Sequence, residues 1–170
     1  MNIRQVVKVF SIVLCLGMLF LSGCANFLKP ETGAIARPEA RVTLAEDGVQ
    51  DALWQTKDMV LSYSIAQSDT AFNLSGELVF DRSLTDSFPV TRKFIFKMSF
   101  LDGGGRVIET VDISPLFSSF GQAPDELMIR FSGVRPAAAA AIAFNYYGTF
   151  RGSAVAMGGD EWDIFYFPFD

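Results

Sequence analysis

Hydrophobic and polar residues alternate with a period of two along most of the chain from Met59 onward. Because successive side chains of a β-strand point to opposite faces, this alternation puts the bulky residues of each segment on one face. The pattern is typical of a strand with one buried face rather than of a helix, whose period is about 3.6. Strands are therefore predicted over segments 59–65, 71–80, 93–100, 106–113, 127–131, 142–147 and 161–169.

Turn-forming residues separate these segments, and the strongest turn signal is the run from Asp102 to Gly105, which predicts a hairpin. Short strands joined by frequent turns predict an all-β fold. We expect an antiparallel β-sandwich of about seven strands, immunoglobulin-like in general architecture, with a small closed β-barrel as the alternative. The shared sidedness of the strands predicts one core formed by Phe72, Leu74, Leu78, Phe80, Phe94, Phe96, Met98, Phe100, Leu127, Ile129, Phe131, Ile142 and Phe144.

The segment 44–57 has no clear period. It is compatible with one or two helical turns, with Leu53 or Trp54 packing on the domain. The stretch before it, up to about residue 42, contains Pro30, Gly33 and Pro38, which interrupt any regular element. We therefore expect this stretch to be a flexible tether.

The beginning of the chain has the features of a secretory signal. Arg4 and Lys8 supply positive charge, and an apolar run follows from Val9 to Leu21. As a helix this run would span only about 20 Å, short of the ~30 Å hydrocarbon core of a bilayer. A membrane-spanning helix is therefore the less favoured interpretation.

The apolar run ends at Leu21-Ser22-Gly23-Cys24, which resembles the lipobox of bacterial lipoproteins: an aliphatic residue, two small residues and a cysteine. The resemblance implies removal of residues 1–23 and acylation of Cys24, which would attach the protein to a membrane of the cell envelope. Ala25 stands where an Asp marks inner-membrane retention in Gram-negative lipoproteins. The resemblance therefore implies an outer-membrane location if the source is Gram-negative.

These features divide the chain into three parts. Residues 1–23 are expected to be the signal peptide, residues 24–42 the lipidated N-terminus and flexible tether, and residues 43–170 a single β-sandwich domain. Removal of the signal takes away Arg4 and Lys8, which leaves 12 basic and 19 acidic side chains.

Composition limits the chemistry that the domain can perform. The formal net charge of the chain is −5, which is unfavourable for contact with a phosphate backbone, so no nucleic-acid partner is expected. The chain contains no histidine, which excludes the Ser-His-Asp and Cys-His catalytic sets. The glycine run 103–105 lacks the Lys-Ser/Thr of a phosphate-binding loop. We expect a protein without catalytic activity, and no cofactor or metal is predicted.

The end of the chain carries aromatic residues on both faces of the predicted last strand, which does not suit a half-solvated strand. One hypothesis is that one of these faces is covered by Trp54 and the 44–57 segment. The other is that it forms an exposed patch for a protein partner or the membrane surface, with Pro168 preventing further strand pairing. The residues of this candidate interaction patch are Phe165, Phe167 and Phe169.

The leading functional hypothesis is a lipid-anchored domain of the cell envelope that acts as a non-catalytic binding or assembly module. Its partners would be the membrane, through the lipid on Cys24, and an envelope protein of unspecified identity. The aromatic content gives an alternative, a carrier of a lipid or small apolar ligand. A remote alternative is a glycan-acting enzyme using two carboxylates, drawn from Glu77, Glu109, Glu126, Glu161 and Asp163.

Overall fold

The computed structural model describes residues 28–46, 48–68, 71–116, 121–152 and 160–170. The predicted signal peptide and Cys24 lie outside these residues. The strands are β1 (Val42–Thr43), β2 (Gly48–Gln55), β3 (Met59–Gln67), β4 (Ala71–Phe80), β5 (Val90–Leu101), β6 (Val107–Asp112), β7 (Gly121–Gln122), β8 (Leu127–Val134), β9 (Ala141–Arg151) and β10 (Glu161–Tyr166). A 3-10 helix spans Pro38–Ala40, and a short α-helix, α1, spans Arg82–Ser87.

The strands form two antiparallel sheets that pack face to face. The first is four-stranded, in the order β2–β3–β4–β8. In the second, which is six-stranded, β5 and β9 form the centre; β6 and β7 pair with β5, and β1 and β10 pair with β9. This arrangement confirms the prediction of an all-β antiparallel sandwich, and each of the seven predicted segments contains a strand.

Segment 44–57 differs from the prediction, because β2 stands where helical turns were considered. β2 pairs with β3 along its whole length, from Gly48 opposite Gln67 to Gln55 opposite Val60. Trp54 points into the sandwich and is buried. Pairing with a neighbouring strand satisfies the backbone of β2 and so overrides a weak local preference for helix.

A helical turn that the sequence analysis missed lies in the connection between β4 and β5. Asp81 precedes α1 and its carboxylate accepts a hydrogen bond of 2.9 Å from the backbone N–H of Ser83. This is the usual N-cap interaction. The Ser83 hydroxyl also donates to the Asp81 carboxylate, and this hydrogen bond, together with the one from the backbone N–H, lowers the pKa of the Asp81 carboxyl. Leu84 is the buried residue of the helix and packs against the core at the end of the sandwich.

Aromatic rings fill the space between the two sheets. Trp54 of the four-stranded sheet contacts Phe96 and Phe144 of the other sheet, with ring centroids 5.7 and 5.2 Å apart. Phe72 of β4 lies edge-on to Phe100 of β5 at 5.0 Å. The predicted core residues are buried here, except that Phe131 is half-buried and packs on the margin of the core.

The structure corrects the prediction that the stretch up to about residue 42 is a flexible tether. Residues 28–41, which we call the strap, lie on the outer face of the six-stranded sheet. Leu28, Ala36 and Ala40 are buried. Prolines and charged residues in this segment favour an irregular path, but that path is fixed by contacts with the sheet that its own sequence does not reveal. The folded unit therefore begins at least as early as Leu28, rather than at residue 43.

Backbone hydrogen bonds hold the strap on both sides. On one side, the N–H of Ala36 donates to the carbonyl of Gly105 at 2.9 Å. On the other, the N–H of Arg37 donates to the carbonyl of Pro168 at 2.8 Å, and Ile35 exchanges two hydrogen bonds with Asp170. The strap therefore joins the β5–β6 hairpin to the end of the chain, and the six-stranded sheet curls beneath it.

The curl encloses a second, smaller core on the outer face of the sheet. Alanines on β9 allow the strap to approach the sheet closely, because their side chains extend no further than a methyl group. The buried members of this core are Ala36, Leu101, Val107, Ala141, Ala143 and Phe169.

Truncation of Phe96 tests the main core. Phe96 is fully buried, so we expect Phe96→Ala to lower the free energy of unfolding by about 3–5 kcal/mol. Phe165→Ala, at a residue that is 51% exposed, is the matched control and should cost at most about 1 kcal/mol. Chemical denaturation measures both, and equal losses would contradict the assignment of the core.

Two glycines of the hairpin test the packing of the strap. Gly105 has a φ of +82°, and a Cβ there would overlap the guanidinium of Arg41, which is held by two hydrogen bonds to the Ala36 carbonyl. Gly105→Ala should therefore lower the free energy of unfolding by about 1–3 kcal/mol. Gly103 has open space around its Cβ position, so Gly103→Ala should change stability by no more than about 0.5 kcal/mol. A thermal melt in which both variants behave alike would refute this account.

Candidate functional site

The outer surface of β10 and β9, and the residues just after β10, carry two of the three aromatic residues that the sequence analysis singled out, Phe165 and Phe167. Phe165 lies opposite Tyr147 in the pairing of the two strands. Phe165 is 51% exposed, and its ring stacks on that of Phe167 with centroids 6.2 Å apart. Tyr147 and Phe167 are half-buried. We call Tyr147, Phe165 and Phe167 the aromatic face.

Phe169, the third residue of the predicted patch, does not belong to the aromatic face. It is only 8% exposed and packs in the small core with Ala36. The chain has left the line of β10 by this point, and Phe169 pairs with Ala36 of the strap in an isolated bridge. Strand pairing at this edge therefore continues past Pro168, contrary to the prediction that this proline would prevent it.

The competing hypothesis, in which Trp54 covers the phenylalanines of β10, is also wrong in detail. Trp54 contacts Tyr166, with ring centroids 5.7 Å apart, and so lies on the inner side of the strand. Ile164 is buried on that same side. The strap, rather than the 44–57 segment, covers part of the outer side. As a result, the outer side is buried where the strap covers Phe169 and exposed at Phe165.

Charges of both signs surround the aromatic face. The ammonium group of Lys93 lies 5.5 Å from the centre of the Tyr147 ring, a cation–π distance. Lys97 lies 3.5 Å from the carboxylate of Asp112, and the hydroxyl of Thr149 donates to Asp163 at 2.8 Å. The aromatic face is therefore an apolar strip with a mixed polar margin, rather than a strongly charged patch.

The strap reaches the sheet immediately beside the aromatic face. Asn145 is fully buried, and its side-chain N–H donates to the backbone carbonyl of Leu28 at 2.7 Å. Asn145 and Tyr147 point to the same face of β9, because they are two residues apart on one strand. The start of the described chain is thus pinned to the sheet next to Tyr147.

A buried polar cluster at one end of the sandwich was missed by the sequence analysis. The hydroxyl of Tyr146 donates to the carboxylate of Asp58 at 2.6 Å and lies 3.0 Å from the hydroxyl of Thr56. Burial raises the pKa of Tyr146, and the hydrogen bond to Asp58 raises it further. The phenol therefore stays protonated and serves as a donor, tying the β2–β3 turn to β9. A lone Asp in a turn gives no sequence signal for such a contact.

A groove of about 400 Å³ borders this cluster, between the β2–β3 turn, α1 and β10. Trp162, which is 51% exposed, stacks on Phe88 at its rim, with ring centroids 5.8 Å apart. Lys57, Asp58 and Ser83 contribute polar groups to the lining. The Asp58 carboxylate accepts the hydrogen bond of Tyr146 through one oxygen and so connects this groove to the buried cluster.

The carboxylates considered for glycan chemistry are spread over the two sheets. Glu77 lies on β4 and Glu109 on β6. On β10, Glu161 forms an ion pair of 2.6 Å with Arg92, and Asp163 is bound by Thr149. Glu126 lines a second groove, of about 510 Å³, together with Arg82, Thr85, Asp86, Pro124 and Asp125.

Comparisons with known proteins find no matching family model, no similar curated protein and no similar solved structure. Across the described ranges, no helix combines the length and the apolar character needed to cross a membrane. The candidate site is therefore defined by its own geometry, and the aromatic face beside the start of the strap is its main feature.

Substitutions of two buried tyrosines test how much the polar cluster contributes to stability. Tyr146→Phe removes the donor to Asp58 and leaves a buried carboxylate oxygen without that partner, so we expect a loss of about 1–3 kcal/mol in the free energy of unfolding. Tyr63 is the control: burial raises its pKa to about 12, and its hydroxyl has no hydrogen-bond partner among the described residues. Tyr63→Phe should leave stability unchanged or increase it. A melting temperature that is lower for Tyr63→Phe than for Tyr146→Phe would disprove the stabilising role of the cluster.

Proposed function

We propose that this chain is a lipid-anchored protein of the cell envelope whose β-sandwich is a non-catalytic binding or assembly module. The observation that carries the proposal is the proximity of the fold to the lipobox-like cysteine. Leu28, buried on the sheet, follows Cys24 by four residues. Four residues of fully extended chain reach at most about 14 Å. An acylated Cys24 would therefore hold the domain directly on a membrane surface.

The packing of the interior supports a module rather than a carrier. The rings of Phe80 and Phe94 meet edge to face at 5.1 Å, and those of Phe80 and Phe150 at 5.0 Å. Together with the Trp54 contacts, these pairs bridge the two sheets where a carrier would hold an apolar ligand. The aromatic content of the chain thus has a structural explanation. Among the described aromatic residues, the exposed ones are Phe165 on the outer face and Trp162 at the rim of the groove.

The proposed cellular location rests on the residue that follows the lipobox-like cysteine. Ala25 after the lipobox-like cysteine favours the outer membrane if the source is Gram-negative. The domain would then lie at that membrane, with its binding surfaces within reach of other envelope components.

Replacement of Cys24 tests the proposal. Cys24→Ala removes the thiol that would carry the lipid, so the protein should accumulate as unprocessed precursor or appear in the soluble fraction. Cys15→Ala is the matched control, because Cys15 lies in the predicted signal and would be removed with it. The measurements are membrane fractionation and the mass of the mature N-terminal peptide. Unchanged attachment and processing of Cys24→Ala would overturn the proposal.

A further inference from the structure

We propose that the aromatic face lies against the phospholipid surface into which the acyl chains on Cys24 insert. This inference rests on the proposed lipidation of Cys24 and adds an orientation to it: the outer face of the six-stranded sheet is the membrane-facing side of the domain. The occupant of this face is thus the lipid bilayer itself.

Chain length restricts where the membrane can be. The backbone of Leu28 is fixed to Asn145 on the outer face of β9, and Cys24 is at most about 14 Å of extended chain away. Tyr147 is the next residue on that face of β9, about 7 Å along the strand. The anchor is therefore close to the aromatic face, whereas two packed sheets separate it from the outer face of the four-stranded sheet.

The residues of the aromatic face suit the boundary between water and hydrocarbon. Phe165 offers a half-exposed ring, and Tyr147 combines an apolar ring with a hydroxyl, as interfacial residues do. Lys93 extends beside Tyr147, and its long apolar stem allows the ammonium group to reach the headgroups while the stem contacts apolar groups. These side chains can enter the interface without burying an unpaired charge.

The charge balance indicates which lipids are needed. Lys97 is paired with Asp112, and Asp163 lies near the same surface. The aromatic face has little excess positive charge, so its contact with lipid depends on apolar burial rather than on anionic headgroups. We expect the contact to form on zwitterionic vesicles and to persist at high salt.

The outer face of the four-stranded sheet also exposes apolar residues, and it serves as the internal control. Most of them lie on the opposite edge strands, as Leu53 (63% exposed) does on β2 and Met128 (54% exposed) on β8, whereas Val79 (37% exposed) lies on β4. Ser62 and Glu77 separate Leu53 from Met128 in the strand pairing. This face has no described connection to the start of the strap.

The test places a reporter on each face of the full-length, processed protein. Apart from Cys15 and Cys24, the chain has no cysteine, so Phe165→Cys and Met128→Cys each add one free thiol for an environment-sensitive fluorophore. The labelled proteins are reconstituted in phosphatidylcholine–phosphatidylethanolamine vesicles that contain lipids with a nitroxide near the headgroup. We expect quenching at position 165 to exceed that at position 128 by at least about threefold, with a blue-shifted emission at 165.

Equal quenching at the two positions would overturn the inference. Protection of position 165 from an aqueous quencher without quenching by the nitroxide lipid would also overturn it, because that result indicates contact with a second copy of the chain. Melting temperatures confirm that the labelled variants are folded. Lys93→Cys provides a second reporter at the margin of the same face if Phe165→Cys does not fold.

The same preparation separates this inference from the function on which it rests. Mass spectrometry of the N-terminal peptide shows whether Cys24 is acylated. If it is acylated and position 165 is in water, the orientation is wrong and the anchored module stands. If Cys24 carries no lipid, the proposed function fails and the orientation fails with it.

Discussion

The contact between the strap and the outer face of the six-stranded sheet is the constraint on which the rest of the structure depends. A sheet with one solvated face would leave β9 half exposed, but Ala143 and Asn145 on that face are fully buried. The strap covers them and joins the β5–β6 hairpin to the end of the chain across the curled sheet. Small side chains on β9 make this possible, because a backbone segment can lie on them without leaving voids.

The same contact divides the aromatic residues at the end of the chain into two groups. Phe169 lies beneath the strap and contributes to stability, whereas Phe165 lies beyond it and is exposed. Three residues that look equivalent in the sequence thus have different roles because a distant segment covers only one end of their strand face. This division defines the aromatic face and places it beside the start of the described chain.

The residues that stabilise the fold and the residues of the aromatic face lie in different parts of this molecule. Between the sheets, aromatic rings in edge-to-face and stacked contacts supply a dense core, and the polar groups within it are few and local. The Tyr146–Asp58 hydrogen bond ties a turn to the central strand, and the raised pKa of Tyr146 keeps the phenol in its donor form. The surface that the anchor would face is instead apolar and nearly balanced in charge. A lipid-tethered domain with such a surface would be oriented by contact of its apolar side chains with the lipid rather than by long-range electrostatic attraction.

The sequence alone determined the all-β class, seven of the ten described strands, the hairpin at Gly103–Gly105 and about half of the main core, because a period of two fixes which side chains share a face. It also supplied the lipobox-like motif at Cys24, a local pattern whose structure lies outside the described residues. Tertiary structure decided the rest. Residues 28–41 look like a tether because their prolines and charges form no regular element, yet their backbone is satisfied by the sheet edges on either side. β2 is a strand because β3 is available to pair with it, and Phe169 is buried because Ala36 lies over it. These outcomes depend on contacts between residues far apart in the chain, and a local pattern carries no information about them.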